Sequence, residues 1–256
     1  DISERKRVEN IQLAQLRLSE YAFTHSSRNL LQEFLNEAEA LTTSQMGFFH
    51  FLEEDQETLS LQAWSTNTLK NMCTAEHGES HYPISQAGVW VDCIYERRPV
   101  VHNDYASLSH KKGLPDGHIP VVRELVVPVI RGDQVVAILG VGNKETLYDQ
   151  EDVNLIQVFA NLAWETVIRK QSEEKLRQSK ERFEKIIKCS PIPTVIASDK
   201  GDIEYFNDKF GEVFGYTLQD ITSVEQWWTK AYPDANQREE ILQSWEIAVS
   251  EARKSR

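Results

Sequence analysis

Cysteine, long apolar runs and basic residues are all scarce in this sequence. Its three cysteines, Cys73, Cys93 and Cys189, are too few and too scattered for a disulfide framework. The longest clean apolar run, 135–141, has the length of a strand, whereas a membrane-spanning helix needs about 20 residues. No signal peptide opens the sequence. These absences predict a protein of a reducing compartment, either cytoplasmic or the cytosolic part of something larger.

Acidic residues outnumber basic residues in this sequence. The 256 residues include 28 Lys and Arg against 40 Asp and Glu, which gives a formal net charge of -12 at pH 7. An acidic surface repels phosphate backbones, so we expect no nucleic acid partner. Hydrophobic residues make up 40% of the sequence, enough for a packed core. The length suits one large domain or two modest ones.

Three segments of the sequence predict helices. Apolar residues at helical spacing predict one amphipathic helix near the start and a second helix from Leu30 to Leu41. The stretch from Asp149 to Lys188 contains neither Gly nor Pro and predicts a long helix. Its second half is too polar for a core helix. We therefore interpret it as a connecting rod that pairs with a copy of itself.

Strand patterns occupy the region between these helices. The runs GFFHFLEED and TLSLQAWS are rich in aromatic and apolar residues and predict two strands. The runs VVRELVVPVI and QVVAILGVG are apolar at nearly every position, which is typical of central strands covered on both faces. Gly132 and Asp133 between them predict a hairpin turn. After the rod, CSPIPTVIASDKGDIEYFN predicts strand, turn and strand, followed by two helices.

The order of these elements resembles a GAF domain. The first hairpin strand carries a pattern typical of GAF hairpins, at Glu124, Leu125 and Pro128. The second strand is followed by residues similar to the Asn-Lys…Phe…Asp signature of cyclic-nucleotide GAF domains: Asn143, Lys144, Tyr148 and Asp152. Tyr148 replaces the Phe, and Val153 stands where a Glu would complete the signature. The resemblance implies that these residues form a structural clamp and does not establish a nucleotide ligand.

The stretch after Arg182 resembles the N-terminal half of a PAS domain, and the opening DISERK is similar to the sequence that commonly ends one. The whole resemblance implies an α+β chain, with a mostly antiparallel GAF sheet flanked by helices and joined by a long helix to a truncated PAS-like unit. The resemblance implies a linker helix at 1–24 and a GAF domain at 25–170. A connecting signalling helix at 171–182 and the PAS half at 183–256 follow.

The resemblance also implies a function. The chain is similar to the GAF-PAS segments of prokaryotic sensor histidine kinases of two-component systems, which implies sensing of a small ligand and output through flanking helices. It further implies a homodimer through those helices, with no membrane contact in this segment. The sequence has no nucleotide-binding box and no phosphoacceptor His pattern, so we expect the segment to be no enzyme and the parent to carry its catalytic domains elsewhere.

Three alternatives remain open at this point. The first is a degenerate GAF domain that serves only as a dimerisation and signal-transmission spacer. The second is a haem-based redox or gas sensor, because His or Cys can ligate haem iron. The third is a GAF thiol enzyme that uses Cys73 or Cys93. The pattern itself requires no cofactor.

We expect the ligand pocket between the central sheet and the segment 73–105. Its candidate ligand-binding residues are Trp64, Cys73, His81, Trp90, His102, Asn103, Tyr105 and Glu124. Tryptophans such as these two are more often core residues than ligand platforms, and His102 could equally anchor its loop.

The stretch CTAEHGESH adds a metal alternative, because it places Cys73, His77 and His81 at steps of four. Structural zinc usually takes four N or S ligands that include a closely spaced cysteine pair, and the sequence has no such pair. Gly78 and Pro83 also argue against the continuous helix that would align the three side chains. We therefore expect no metal.

Overall fold

The computed structural model describes residues 2–72, 81–111 and 120–254. The chain divides into two compact units, at residues 1–174 and 175–256. Both combine helices with antiparallel strands, which confirms the predicted α+β class.

The described residues of the first unit form three α-helices, six strands and most of a fourth α-helix. These elements are α1 (Ile2–Thr24), α2 (Ser27–Thr42), β1 (Met46–Leu52), β2 (Thr58–Trp64), β3 (His81–Pro83), α3 (Asp92–Glu96), β4 (Val100–His102), β5 (Glu124–Arg131), β6 (Gln134–Gly142) and α4 (Gln150–Lys188). Helix α1 ends before α2 begins, and the Ser26 side chain accepts a hydrogen bond from the Asn29 backbone N–H and so caps α2. The predicted long helix is also confirmed, since α4 continues for 39 residues.

All six strands of the first unit form one antiparallel sheet in the order β3-β2-β1-β6-β5-β4. The two apolar strands β5 and β6 lie inside it, as their composition predicts. Gly132 and Asp133 form the turn between them, and Gly132 takes a φ of +58°. Glycine adopts this left-handed conformation without steric cost, so the turn needs it.

The two faces of the sheet are covered differently. One face packs against α1, α2 and α4 through a core that includes Leu18, Phe34, Phe49, Leu139 and Phe159. The opposite face packs against the segment that ends in α3, through residues that include Phe48, Leu59, Cys93, Ile94 and Ile138. Side chains alternate between the faces of a strand, and β1 therefore contributes neighbouring phenylalanines to both cores.

The Asn-Lys…Asp signature is a structural clamp, as the resemblance implies. Asn143 accepts a hydrogen bond from the Val122 backbone N–H at 2.8 Å and donates one to the Pro120 carbonyl at 3.0 Å. Lys144 Nζ lies 2.6 Å from Asp152 Oδ2 and joins the end of β6 to the first turn of α4. These contacts involve buried or nearly buried groups, so they fix the start of α4 on the sheet.

The second unit has a two-stranded sheet and three helices of its own. They are β7 (Val195–Ala197), β8 (Ile203–Phe206), α5 (Asp208–Phe214), α6 (Val224–Ala231) and α7 (Ala235–Lys254). Buried Asn207 accepts hydrogen bonds from the Thr194 and Phe210 N–H groups and donates to the carbonyls of Ile187 and Ile192. The prediction of two helices after the strands is wrong. Pro233 lies between α6 and α7, where its missing N–H and fixed φ break a continuous helix.

Within the described residues, the structure contains no helix long and apolar enough to cross a membrane.

Candidate functional site

Four aromatic rings meet on the sheet face that lies away from α1, α2 and α4. We call Phe48, His50, Trp64 and Trp90 the aromatic cluster. The imidazole of His50 stacks on the Trp90 indole with centroids 4.7 Å apart. Phe48 contacts the Trp90 and Trp64 rings at centroid distances of 5.5 and 5.9 Å. Gly140 on β6 lies opposite Phe48 on β1, and a Cβ at Gly140 would overlap the Phe48 ring. The absence of a side chain there lets the ring lie directly on the backbone.

The cluster carries no positive charge at physiological pH. His50 is only 2% exposed, and burial lowers its pKa to about 3 because desolvation disfavours the imidazolium. Trp64 and Trp90 are half-buried. The cluster therefore offers flat aromatic surfaces and a neutral imidazole, which suit an apolar or aromatic ligand.

A second group of side chains lies beside this cluster and is ionisable. We call Asp92, His102, His110 and Glu124 the imidazole–carboxylate chain. His102 Nδ1 lies 2.9 Å from Glu124 Oε1, and its Nε2 lies 3.4 Å from Asp92 Oδ2. The same Asp92 oxygen lies 2.7 Å from His110 Nε2. The imidazole–carboxylate chain thus links side chains from α3, β4, β5 and the stretch after β4.

Hydrogen bonding and burial oppose each other within this chain. The hydrogen bond to Glu124 raises the pKa of His102, although partial burial lowers it. Burial raises the pKa of Glu124, and the bond from His102 offsets part of that shift. A charged imidazole beside a buried carboxylate stabilises the ionised form of both.

Cys93 lies near both groups but does not have the character of a nucleophile. Its thiol is fully buried and donates to the Trp90 carbonyl at 3.6 Å. Burial, with the negative charges of Glu124 and Asp92, raises the pKa of the Cys93 thiol well above its usual range. Catalytic cysteines instead have lowered pKa values. This environment argues against Cys93 as the nucleophile of a thiol enzyme.

The structure gathers five of the predicted site residues on one side of the sheet. Trp64 and Trp90 belong to the aromatic cluster, while His102 and Glu124 belong to the imidazole–carboxylate chain. Tyr105 is buried, and this burial, with the negative charge of Glu124, raises its pKa. These five residues remain candidates for ligand contact.

The other predicted residues have different surroundings. The Asn103 side chain accepts from the Tyr148 N–H and donates to the Tyr148 carbonyl, so it anchors its loop to the clamp region. His81 begins β3 and pairs with Ser60. Cys73 and His77 lie outside the described residues, and so does most of the proposed metal stretch. Among the residues that the structure describes, no group of three or more His, Cys, Asp or Glu side chains could hold a metal ion.

Four further residues of the site escape the sequence reasoning: Phe48, His50, Asp92 and His110. Alternation along β1 provides a signal for two of them, because Phe48 and His50 share a face and Phe49 lies on the other. A histidine inside an apolar strand is also a signal in its own right. Asp92 and His110 come from segments 18 residues apart, and no local spacing connects them.

Comparison with known families adds the identity of both units. The model of the GAF domain matches residues 24–167, more than half of the chain. The chain belongs to the GAF domain family. A PAS domain model matches residues 181–250 and so covers the region after the GAF domain.

One curated relative resembles most of the chain. The methyl sulfide methyltransferase-associated sensor of Methanosarcina acetivorans is 31% identical over 237 residues, which is 88% of this chain. The same match covers 24% of that sensor, so the chain spans about a quarter of its relative's length.

Solved structures support the GAF fold. The GAF domain of an Acinetobacter phosphoenolpyruvate-protein phosphotransferase matches with a TM-score of 0.53 and 14% identity, over 65% of this chain and 95% of that one. The corresponding Coxiella burnetii domain matches with a TM-score of 0.53 and 11% identity, over 65% and 98%. A free methionine-R-sulfoxide reductase from Neisseria meningitidis matches with a TM-score of 0.50 and 13% identity, over 65% and 91%. At these identities the likeness concerns the fold alone.

Proposed function

We propose that this chain is the ligand-sensing and signal-relay segment of a cytosolic multidomain sensor, specifically a sensor histidine kinase of a two-component system. The name of the 31% identical relative, a sensor, supports the first part of this proposal. The GAF–PAS order agrees with it. In this proposal the GAF domain binds a small molecule, and the kinase chemistry belongs to other parts of the parent protein.

The two faces of β1 carry the proposal. Phe48 and His50 contribute to the aromatic cluster on one face of this strand. Phe49, one position away, is fully buried in the core that α1, α2 and α4 form on the other face. Because protein cores are densely packed, a ligand that displaces the cluster also displaces β1. The helices that pack on Phe49 then receive the change.

The energy required of the ligand is large. Moving a two-state output from 1:99 to 99:1 requires about 5.5 kcal/mol of differential affinity for the two states. A ligand that gains only a few contacts would bias the output without switching it. We therefore expect the ligand to be enclosed by both the aromatic cluster and the imidazole–carboxylate chain.

The chemistry of the cluster narrows the ligand class to small apolar or aromatic molecules. Neutral rings give no charge for pairing with an anion, which argues against nucleotide phosphates at this position. The relative's name adds methyl sulfides to the candidates, since thioether sulfur packs favourably against aromatic rings. Haem belongs in the same test because a neutral imidazole can ligate its iron.

A ligand titration tests the sensing role. The purified protein is heated with methyl sulfides, small aromatic metabolites, cyclic nucleotides and haem, and an absorbance spectrum is recorded before any addition. A specific ligand at about 100 times its dissociation constant should add roughly 2.7 kcal/mol to the free energy of unfolding. The variant Trp90→Leu should lose this gain. Trp164→Leu is the matched control, since Trp164 packs under Arg131 on the surface of α4.

The spacer role is the second candidate, and one observation favours it. The rings of the aromatic cluster already contact one another, as in a self-filled core. If every compound leaves the melting temperature of the wild-type protein unchanged and the spectrum shows no chromophore, the GAF domain is a structural spacer and the sensing role is refuted.

A further inference from the structure

The imidazole–carboxylate chain connects three elements, of which only two are joined by backbone hydrogen bonds between strands. Glu124 begins β5, His102 ends β4, and Asp92 begins α3. Strands β4 and β5 already pair through the backbone, at His102 and Glu124 among other positions. Helix α3 has no such ladder, so the contact of its Asp92 with His102 is a direct polar link between the helix and the sheet edge.

The geometry fixes how many protons this chain must hold. A neutral imidazole has one N–H, so it can donate to only one of two carboxylates. His102 directs its two ring nitrogens at two different carboxylates, those of Glu124 and Asp92. Both contacts are favourable only if the ring is an imidazolium or if one carboxyl group carries a proton. Without that proton, a nitrogen lone pair faces a carboxylate oxygen.

The groups around His102 increase the effect of its proton on the stability of these contacts. The side chains of His102 and Glu124 are mostly buried, and Glu96 on α3 adds a further negative charge near the ring. His110 approaches Asp92 from the exposed side and is the most accessible member of the chain. Burial, with the negative charge of Glu124, raises the pKa of Tyr105 and of Cys93, so both of those groups stay neutral. The charges that act on His102 are the carboxylates of Glu124, Asp92 and Glu96.

We propose that the imidazole–carboxylate chain is a proton-operated latch, in which one proton shared by His102 and its two carboxylates holds α3 against β4 and β5. Loss of the proton breaks one of the two His102 contacts and releases α3, the helix that follows Trp90. Proton binding would thus change the wall of the candidate ligand site. The consequence for signalling depends on the proposed sensing function, whereas the latch itself does not.

The direction of the pH effect follows from linkage. In the folded protein the pKa of His102 is raised above its ordinary value of 6.5. The stabilisation is therefore complete below pH 6.5 and is lost as the pH rises through the raised value. Across this pH range, the ratio of latched to released molecules falls tenfold for each unit by which the His102 pKa of the latched form exceeds that of the released form.

Proton binding is tested by nuclear magnetic resonance of the histidine rings in the full chain without added ligand. The His102 signal is assigned from His102→Gln. We expect it to titrate above 6.5 in the wild type and to shift to lower pH in Glu124→Gln and Asp92→Asn. The His25→Gln variant serves as a control because His25 directly follows α1 and contacts Thr24 and Tyr21. A His102 that titrates at or below 6.5, or that ignores both carboxylate variants, overturns the latch.

Hydrogen exchange tests the release of α3. After correction for base catalysis, amides of 92–102 should lose protection in the wild type as the pH passes the measured His102 pKa. The loss should be absent in His102→Gln, whose side chain does not titrate. Equal pH dependence in the two proteins would show that α3 is not held by this proton. Because no ligand is used, a failed ligand titration leaves this result unaffected.

Discussion

Desolvation acts on two buried ionisable side chains of the GAF domain in opposite directions. It lowers the pKa of His50 to about 3 and raises the pKa of Glu39 to about 7. Both shifts favour the neutral form, because a charged group loses its hydration when it is buried. Glu39 lies in the last turns of α2, where a negative charge also opposes the helix dipole.

The pH dependence of stability should reveal Glu39. Its folded-state pKa is raised from 4.5 to about 7, so the favourable neutral form is fully present below pH 4.5 and is lost as the pH rises to about 7. At pH 8 we expect Glu39→Gln to be about 3 kcal/mol more stable than the wild type. At pH 4 the two should agree. Denaturant unfolding at both pH values measures this, with the exposed Glu145→Gln as control; a pH-independent difference would contradict it.

The helix-facing core depends strongly on Phe159. This residue of α4 is fully buried, and its ring packs edge-on against Phe34 at 6.4 Å. Phe159→Ala should therefore lower the free energy of unfolding by about 3–5 kcal/mol. Its neighbour Val158 is 46% exposed, and Val158→Ala should change that free energy by less than about 0.5 kcal/mol. Urea denaturation of both variants measures the difference, and similar costs would mean that the helix face is misassigned.

At the residue scale, sequence reasoning works where periodicity is strong and fails where contacts are distant. The apolar residues of α4 recur at helical spacing, and Phe159, which belongs to this pattern, is buried. Nothing local indicates that Glu39 is buried, because its surroundings come from Ser65 and Thr68 in another segment. The proximity of Asp92, His102 and Glu124 likewise depends on the path of the chain between them.

Among the elements, the join between the sheet and α4 has the most direct consequence for stability. Lys144 and Asp152 are nearly buried, and their charged atoms lie 2.6 Å apart. Lys144→Met leaves the Asp152 carboxylate buried without its cation. We expect a loss of about 3 kcal/mol, since removing one partner of a buried pair strands a charge.

An exposed pair on the same helix gives the control for this prediction. Lys180 and Glu184 lie 3.9 Å apart and are both well exposed. Lys180→Met should cost less than about 0.5 kcal/mol. Thermal unfolding of the two variants provides the comparison. If both are near neutral, the Asn-Lys…Asp clamp does not stabilise the start of α4.

The elements themselves were largely predictable. Continuous apolar runs predict strands β5 and β6, and a long stretch without Gly or Pro predicts α4. The division between α6 and α7 was missed even though Pro233 signals it, because the apolar residues on both sides suggest one helix. The pairing order of the sheet cannot be read from composition, because it joins strands that are distant in the sequence.

For the whole molecule, exposed apolar side chains on α1 support the proposed homodimer. Val8, Leu13, Leu16 and Phe23 are all well exposed, although Ala14 and Leu18 of the same helix are buried in the core. Helix α4 adds exposed Leu176, Phe183 and Ile186. We propose that a second copy of the chain covers these side chains, because paired helices bury such residues in coiled coils.

Light scattering at high protein concentration tests the homodimer. We expect the wild-type chain to have twice the mass of one chain. Leu16→Glu should shift the equilibrium toward monomer, because a charge would replace a buried leucine in the pair. Leu147→Glu is a matched control, since Leu147 and Leu16 are each 61% exposed and Leu147 lies outside the helices. A monomeric wild type, or an equal response of both variants, would refute pairing through α1.

The bare backbone at Gly140 gives the candidate site a preferred direction of movement. The ring of Phe48 already rests on this strand, and no side chain lies beneath it that could be compressed. The ring therefore cannot move further toward β6, and any displacement must carry it away from that strand. Gly140 thus limits the movement of the Phe48 ring to one side, so that ligands of different shapes would all displace it away from β6.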